Sequence, residues 1–391
     1  MTNRLKSQDS TLKEKELISK HFRFSWMEFS GSLGDLGLFI PLVVAMTIAC
    51  DLNIGMILVC AGLMNIITGL VFRQPIPVQP MKAIAAVVIT EGLLRDEMVA
   101  AGLLMGVLML ALSGVIGRLN HFIPKAIVRG IQLGVGLKLA VKGAAWVGEL
   151  SLVGWDSILS AVLVAGFLLI MLTSKKPVLV LVFLLGFVLQ YFEQGKAFIP
   201  QAMTLTDFDI HWPAASAWMG GLLRGTLPQL PLTLLNSVIA VCALSADYFP
   251  GRGIAPRKVA ASVGLMNILC VPFGGIPMCH GAGGLAAQYC FGARTGASVV
   301  MLGLCKVAVG VVFGGALLSL LQSYPMAILG PMLIFAGIEL ARSAKDVIDN
   351  NGDLMVALIT AIFILGVNTW VGFLAGCGVV TILRIYKRQG C

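Results

Sequence analysis

Gln74-Pro-Ile-Pro-Val-Gln-Pro-Met-Lys82 and Pro272-Phe-Gly-Gly-Ile-Pro-Met-Cys-His280 are the two stretches that decide how this chain folds. Each heads an apolar segment, yet neither reads as the start of an ordinary helix. A proline removes an N–H donor and fixes φ, so the first stretch is expected to be extended. A helix should begin near Pro80-Met81-Lys82, because proline suits a first helical turn. The second stretch runs into Gly281-Ala-Gly-Gly284 and should behave alike. The apolar segments that follow, 80–94 and 277–291, are short. Broken backbone at membrane depth is tolerated only where protein buries it or it lines a cavity. The prolines therefore predict two half-helices, provided that the chain is a membrane protein.

Composition says that it is. Of 391 residues, 58% are hydrophobic and 12% are charged, about half the ~25% usual for a soluble domain. So few charges cannot clothe a water-facing surface, which excludes an ordinary soluble enzyme. A net charge of +9 does not point to nucleic acid, since the basic residues sit at the ends of apolar segments. Cys50, Cys60, Cys242, Cys270, Cys305 and Cys377 lie within apolar runs and read as small buried hydrophobes. No CxxC pair suggests a metal, and neither metal nor cofactor is expected. The first 23 residues mix both signs of charge without an apolar core, unlike a signal peptide.

Apolar stretches outside the two short ones run over 26–50, 54–72, 97–117, 123–148, 155–173 and 177–192, then 218–245, 258–272, 296–321, 325–341, 354–367 and 369–386. With the short segments this makes fourteen, seven on each side of a more polar stretch. The expected organisation is an N-terminal cytosolic tail (1–23), a first seven-helix repeat (24–192), an extracytoplasmic loop (193–217), a second repeat (218–386) and a cytosolic C-terminal tail (387–391). With the N-terminus inside, cytosolic turns hold Arg73, Arg118, Lys175, Lys176, Arg252, Arg257, Lys258, Arg294, Arg342 and Lys345. Outer turns hold little beyond Arg95 and Lys196. The positive-inside rule then places both termini in the cytosol.

The halves repeat each other. A shift of 201 residues lays Pro124-Lys-Ala-Ile127 on Pro325-Met-Ala-Ile328, Gly136 on Gly337, and Leu139-Ala140 on Leu340-Ala341. It also lays Glu28 on Gln229 and Asp35 on Asn236, and a shift of 197 lays Pro80-Met81 on Pro277-Met278. An odd number of spans per half makes the second copy inverted, an arrangement typical of secondary transporters. In that arrangement the two half-helices bring their N-termini together near the midplane. Each N-terminus carries about +0.5 of a charge and free N–H donors. With the Lys82 ammonium the sum is roughly +2, suited to a dianion. His280 could add a donor. The later glycines suit either close approach of an oxyanion or helix packing.

Charged residues inside spans are costly and usually functional. Asp35 should face a cavity, where it would pair with Lys82, tune the site or carry a proton. Glu28 sits nearer the cytosolic end, where interfacial solvation explains it equally well. Lys138, Lys306 and Glu339 read as structural ion-pairing residues.

Phe29-Ser-Gly-Ser-Leu-Gly-Asp-Leu-Gly37, Pro75-Ile-Pro-Val-Gln-Pro-Met-Lys-Ala-Ile-Ala-Ala86 and Pro277-Met-Cys-His-Gly-Ala-Gly-Gly284 closely resemble the molybdate transporter family, a branch of the sulfate permease superfamily. So do Leu227-Pro-Gln-Leu-Pro-Leu-Thr-Leu-Leu-Asn-Ser237 and Gln288-Tyr-Cys-Phe-Gly-Ala-Arg294. The resemblance runs from about Phe24 to the C-terminus. It implies an all-α polytopic fold, a seven-plus-seven inverted repeat with core and gate domains. Substrate would bind between the third and tenth helices, at Gln79, Lys82, Cys279, His280 and Gly281, with Asp35, Gln229, Asn236 and Ser237 beside them. The chain ends soon after its last span, so the cytosolic STAS domain of many sulfate permeases is not expected. Where the wider superfamily often has an acid on the eighth helix, this chain has Gln229 and Asn236, so that cation mechanism does not carry over.

The sequence thus leads us to expect an importer of a tetrahedral oxyanion, molybdate before sulfate, embedded in the cell (inner) membrane. No P-loop is present, so proton symport is the simplest coupling, with Asp35, Glu28 and His280 as candidate carriers. An anion exchanger or channel on the same scaffold is the alternative. A homodimer is the assembly considered; nucleic acid is not an expected partner.

Overall fold

The computed structural model describes residues 22–116, 124–171, 178–195 and 210–388. Most of the expected N-terminal tail, Arg118, Lys175, Lys176, most of the 193–217 loop with Lys196, and residues 389–391 lie outside them. The described residues are mostly helical. In order come α1 (Trp26–Cys50), α2 (Ile54–Phe72), β1 (Gln79–Pro80), α3 (Lys82–Glu91), α4 (Arg95–Leu112), α5 (Lys125–Gly148), α6 (Ile158–Met171) and α7 (Val178–Gln194). The second series is α8 (Ala217–Tyr248), α9 (Pro256–Cys270), β2 (Met278–Cys279), α10 (Ala282–Cys290), α11 (Ala297–Gln322), α12 (Met326–Arg342), α13 (Asn351–Gly366) and α14 (Thr369–Arg388). Among the described residues, five helices are long and apolar enough to cross a membrane, and four shorter apolar helices join them. Large apolar side chains such as Leu163, Ile170, Leu181 and Ile362 remain exposed, as a lipid-facing surface requires. This is a multi-pass membrane protein.

Helices pack across the two series through glycine. On α2, Gly55, Gly62 and Gly69 recur every seventh residue and meet Gly310, Gly303 and Gly296 of α11 in antiparallel order. A methyl added at Gly303 would lie 2.5 Å from the Gly62 carbonyl oxygen, and one at Gly62 2.6 Å from that of Gly303. Gly136 and Gly143 of α5 meet Gly337 and Gly330 of α12 in the same way. Lipid tails supply no hydrophobic drive between helices, so close backbone approach and van der Waals contact hold such seams together.

Two carboxylates are used on helix starts. Glu28 Oε2 accepts from the backbone N–H groups of Arg294 (3.0 Å) and Thr295 (3.1 Å), just before α11. Asp156 accepts from Met326 N and Ala327 N at the start of α12. Negative charge is stabilised at a helix N-terminus, where backbone donors are unpaired. Pro124 and Pro325, matched by the sequence shift, both stand immediately before their helices, α5 and α12.

Gly303→Ala is expected to destabilise the folded protein by about 1–3 kcal/mol through overpacking. The thermal midpoint in detergent should fall accordingly, whereas Gly378→Ala, whose methyl meets nothing within 4 Å, should leave it in place. Equal midpoints for the two variants would remove the seam's structural role.

Candidate anion-binding site

The two proline-led stretches behave alike. Residues 75–78 are without regular structure, β1 follows, and α3 starts at Lys82 with Met81 as its N-cap. Pro80 therefore belongs to the strand rather than the first helical turn. On the other side β2 leads to α10, capped by Gly281. The strands pair antiparallel, Gln79 opposite Cys279 and Pro80 opposite Met278, and Met81 N donates to Pro277 O at 2.8 Å. Asn267 of α9 clamps β2, donating to Met278 O (2.7 Å) and accepting from Met278 N (2.8 Å). Two half-helices thus start from one short crossed ribbon and point away from it.

Side chains complete the frame. His280 Nδ1 meets the Pro77 carbonyl at 2.8 Å and Nε2 lies 3.0 Å from Ser262 Oγ. A carbonyl only accepts, so Nδ1 carries a proton, and His280, fully buried, braces the extended stretch. Gln229 Oε1 accepts from Ala83 N (2.8 Å), and its Nε2 donates to Thr233 Oγ1 (2.9 Å). It therefore caps α3. Ser237 Oγ contacts Cys279 Sγ at 3.1 Å. The eighth helix reaches these positions by widening into π-helical turns at Gly221–Thr226 and Thr233–Ile239, a distortion frequent at functional sites. The first helix tightens instead, into a 3-10 turn over Leu33–Asp35.

Asp35 is fully buried. Its Oδ1 accepts from Gln79 Nε2 at 2.7 Å, and its Oδ2 lies 3.9 Å from Lys306 Nζ of α11. Lys306 donates to Asn65 Oδ1 (3.0 Å) and sits 3.6 Å above the Phe39 ring. The ion-pair partner of Asp35 is thus Lys306 rather than Lys82, pairing with which was one of the three roles the sequence left open. Distance along the chain hid that pairing. Lys138 pairs with Glu91 (2.7 Å) and Glu339 with Arg342 (3.4 Å).

A cavity of about 690 Å³ opens beside the ribbon. Lys82, Asn236, Gly283, Gly284, Glu339, Arg342, Ser343 and Lys345 are among the residues that line it. Among the described residues Lys82 Nζ has no hydrogen bond or salt bridge, so its charge is directed at the cavity. Of the sequence candidates, Lys82 and Asn236 line this space. Gln79, Cys279, Gly281, Asp35, Gln229 and Ser237 gather at the ribbon. His280 stands behind it, and Glu28 is spent on the turn before α11.

Lys306 does pair, as the sequence reading expected, with a partner that reading did not name, whereas Asn65 and Asn267 are parts of this framework that it did not place. Gly62-Leu-Met-Asn-Ile66 recurs unchanged as Gly264-Leu-Met-Asn-Ile268, and this repeat was the available signal for both asparagines.

The fold, with its paired half-helices, is that of the membrane domains of solved anion transporters. The transmembrane domain of a cyanobacterial bicarbonate transporter, BicA, aligns with a TM-score of 0.65 at 14% identity, covering 91% of this chain and 98% of that one. The murine anion transporter Slc26a9 in its inward-facing state aligns at 0.69 and 13%, covering 95% and 70%. At such identities the likeness is one of fold. The sequence matches the family described as "Molybdate transporter of MFS superfamily" over residues 27–139 and 221–340. It is 38% identical to "Molybdate transporter 1" of Arabidopsis thaliana over 94% of this chain and 90% of that protein. "Molybdate transporter 1" of Chlamydomonas reinhardtii is 33% identical, over 93% and 92%. The chain belongs to the molybdate transporter family, and it is a transporter rather than an enzyme.

Gly283→Ala places its methyl where nothing lies within 4 Å, whereas a methyl at Gly284 would lie 2.6 Å from Gln79 Nε2 and 2.9 Å from Asp35 Oδ1. Gly284→Ala is therefore expected to lower the thermal midpoint, at a cost of about 1–3 kcal/mol. Gly283→Ala should fold as wild type but weaken anion binding. A Gly283→Ala protein with wild-type affinity would separate this helix start from the binding surface.

Proposed function

We propose that the chain is a secondary transporter that imports a tetrahedral oxyanion dianion, molybdate ahead of sulfate, by proton symport. The observation that carries this reading is the convergence of two half-helix N-termini and the unpaired Lys82 ammonium at one cavity. Those charges sum to roughly +2, and the backbone donors match oxygen acceptors arranged around a central atom. The named function of the plant and algal relatives supports molybdate as the anion.

A seven-plus-seven inverted repeat is the architecture we assign. It is supported by the contact of Gly136 with Gly337, two positions that the 201-residue shift makes equivalent. A residue that touches its own repeat partner lies next to the axis relating the repeats. The helices α1–α4 and α8–α11 would form the core and the others the gate. Both termini are assigned to the cytosol of an inner-membrane protein, on the distribution of Lys and Arg. The cavity reaches Arg342 and Lys345, on the side so assigned, and this supports reading the structure as an inward-facing state.

Bringing a dianion in against an inside-negative potential costs roughly 4.6 kcal/mol per 100 mV, and co-transported protons offset it. Asp35 is the carrier we favour. Its repeat partner Asn236 cannot titrate, Glu28 is held by two backbone donors, and His280 braces the ribbon.

Lys82→Met is expected to weaken molybdate binding by at least about tenfold, roughly 1.4 kcal/mol, without lowering the thermal midpoint. Calorimetry on purified protein with molybdate and sulfate in turn would measure both the loss and the preference. Unchanged molybdate affinity in Lys82→Met would sink the role of this lysine.

A further inference from the structure

Gln79 stands between the buried acid and the start of α10, and its amide is not symmetric about that position. An ionised carboxylate can only accept hydrogen bonds. Asp35 therefore draws Gln79 Nε2 toward itself, at 2.7 Å, and the amide oxygen is forced the other way. That oxygen, Oε1, is buried with no hydrogen-bond partner among the described residues. It abuts Gly281, where a Cβ would lie only 2.1 Å from it. Gly281 is the N-cap of α10, and the next glycines, Gly283 and Gly284, line the cavity. With Asp35 ionised, the end of Gln79 nearest the helix start is thus an acceptor, the wrong polarity for an oxyanion.

The surroundings determine where a proton on Asp35 would sit. Lys306 of α11 faces Oδ2 at 3.9 Å and is held by Asn65 and the Phe39 ring. A proton is disfavoured on the oxygen beside that cation, and it is left for Oδ1, the oxygen facing Gln79. Lys82 of α3 and the Cys279 thiol of β2 also interact with Asp35. Glu28, on the same helix, is turned to Arg294 N and Thr295 N, and His280 to Pro77 and Ser262.

We infer that Gln79 is a proton-controlled switch of the anion site: a proton on Asp35 Oδ1 reverses the amide, so that Oε1 accepts from the acid and the NH2 group turns to the oxyanion. The proton comes from water onto Asp35 and returns to water on release; no other covalent bond changes. One half-turn of one side chain replaces an acceptor by a donor at the start of α10. Proton and anion each strengthen the other's binding, as linkage demands of two ligands that favour the same state. The inference rests on the oxyanion reading above and supplies the means by which Asp35 would serve it.

The test is calorimetric titration of purified full-length chain with molybdate between about pH 6 and pH 8.5, in buffers of differing ionisation enthalpy. Wild-type affinity should rise as pH falls, by up to about tenfold per pH unit for one linked proton, with proton uptake on binding. Asp35→Asn presents its own NH2 to Gln79 Oε1, because the Lys306 charge holds the asparagine oxygen on the other side. It should bind at high pH as tightly as wild type does at low pH, with no slope and no proton uptake. Gln79→Met keeps the volume without the amide, and should bind weakly at every pH. Wild-type affinity independent of pH, or a wild-type slope retained in either variant, would overturn the switch and leave the oxyanion reading standing. A folded wild-type protein that binds no molybdate at any pH would instead overturn that reading, and the switch with it.

Discussion

A backbone that leaves its helix inside a membrane must find partners for every N–H and C=O it exposes, and this constraint organises the centre of the molecule. The prolines at 75, 77 and 80 and at 272 and 277 end helical structure in mid-fold. What they break is repaired by protein. β1 and β2 pair with each other, Asn267 takes both polar groups of Met278, Gln229 takes the N–H of Ala83, and His280 takes the carbonyl of Pro77. These partners come from α8, α9 and the opposite ribbon, so the break could not survive in one half alone. The donors that remain near the cavity, at the starts of α3 and α10, are those the proposed anion would meet.

Glycine has two roles that local sequence does not distinguish. Along α2 and α11 it recurs in sevens and lets backbones touch. At Gly281 and Gly284 it makes room for the Gln79 side chain, and at Gly283 it leaves space open. Replacing any of the first kind would push helices apart, whereas at Gly283 a methyl would intrude only on the cavity.

Much of the fold was legible because prolines and apolar length are local signals. The short helices, the extended stretches before them and the equivalence of Pro124 with Pro325 all follow from residue identity and spacing. The site was legible where a residue's own chemistry is conspicuous, as with Lys82 and Asp35. Pairing was not. Asp35 and Lys306 lie in different halves, and neither span carries a periodicity that names its partner. Glu28 could be read as interfacial because its donors, the N–H groups of residues 294 and 295, lie 266 and 267 positions away. Asn65 and Asn267 look unremarkable singly. Only the recurrence of Gly-Leu-Met-Asn-Ile marks them, and only the fold shows that one holds a lysine and the other a strand.

The contact at the far end of α3 has an electrical consequence. Glu91 Oε1 accepts from Lys138 Nζ of α5 (2.7 Å) and from Thr369 N (2.9 Å) and Oγ1 (2.5 Å) of α14. This joint ties α3 to α5 and α14 at the end of α3 away from Lys82. The cavity carries the potential of one aqueous phase inward as far as Lys82. In the proposed inward-facing transporter the transmembrane voltage would therefore fall mainly between Lys82 and the Glu91 joint. Ten helical residues span about 15 Å, half the ~30 Å hydrocarbon thickness. The field there is about double that of a uniform bilayer. An anion bound at Lys82, as proposed, would have yet to cross nearly all of that drop or would already have crossed it, so the voltage-sensitive part of its journey would be compressed into the length of one short helix.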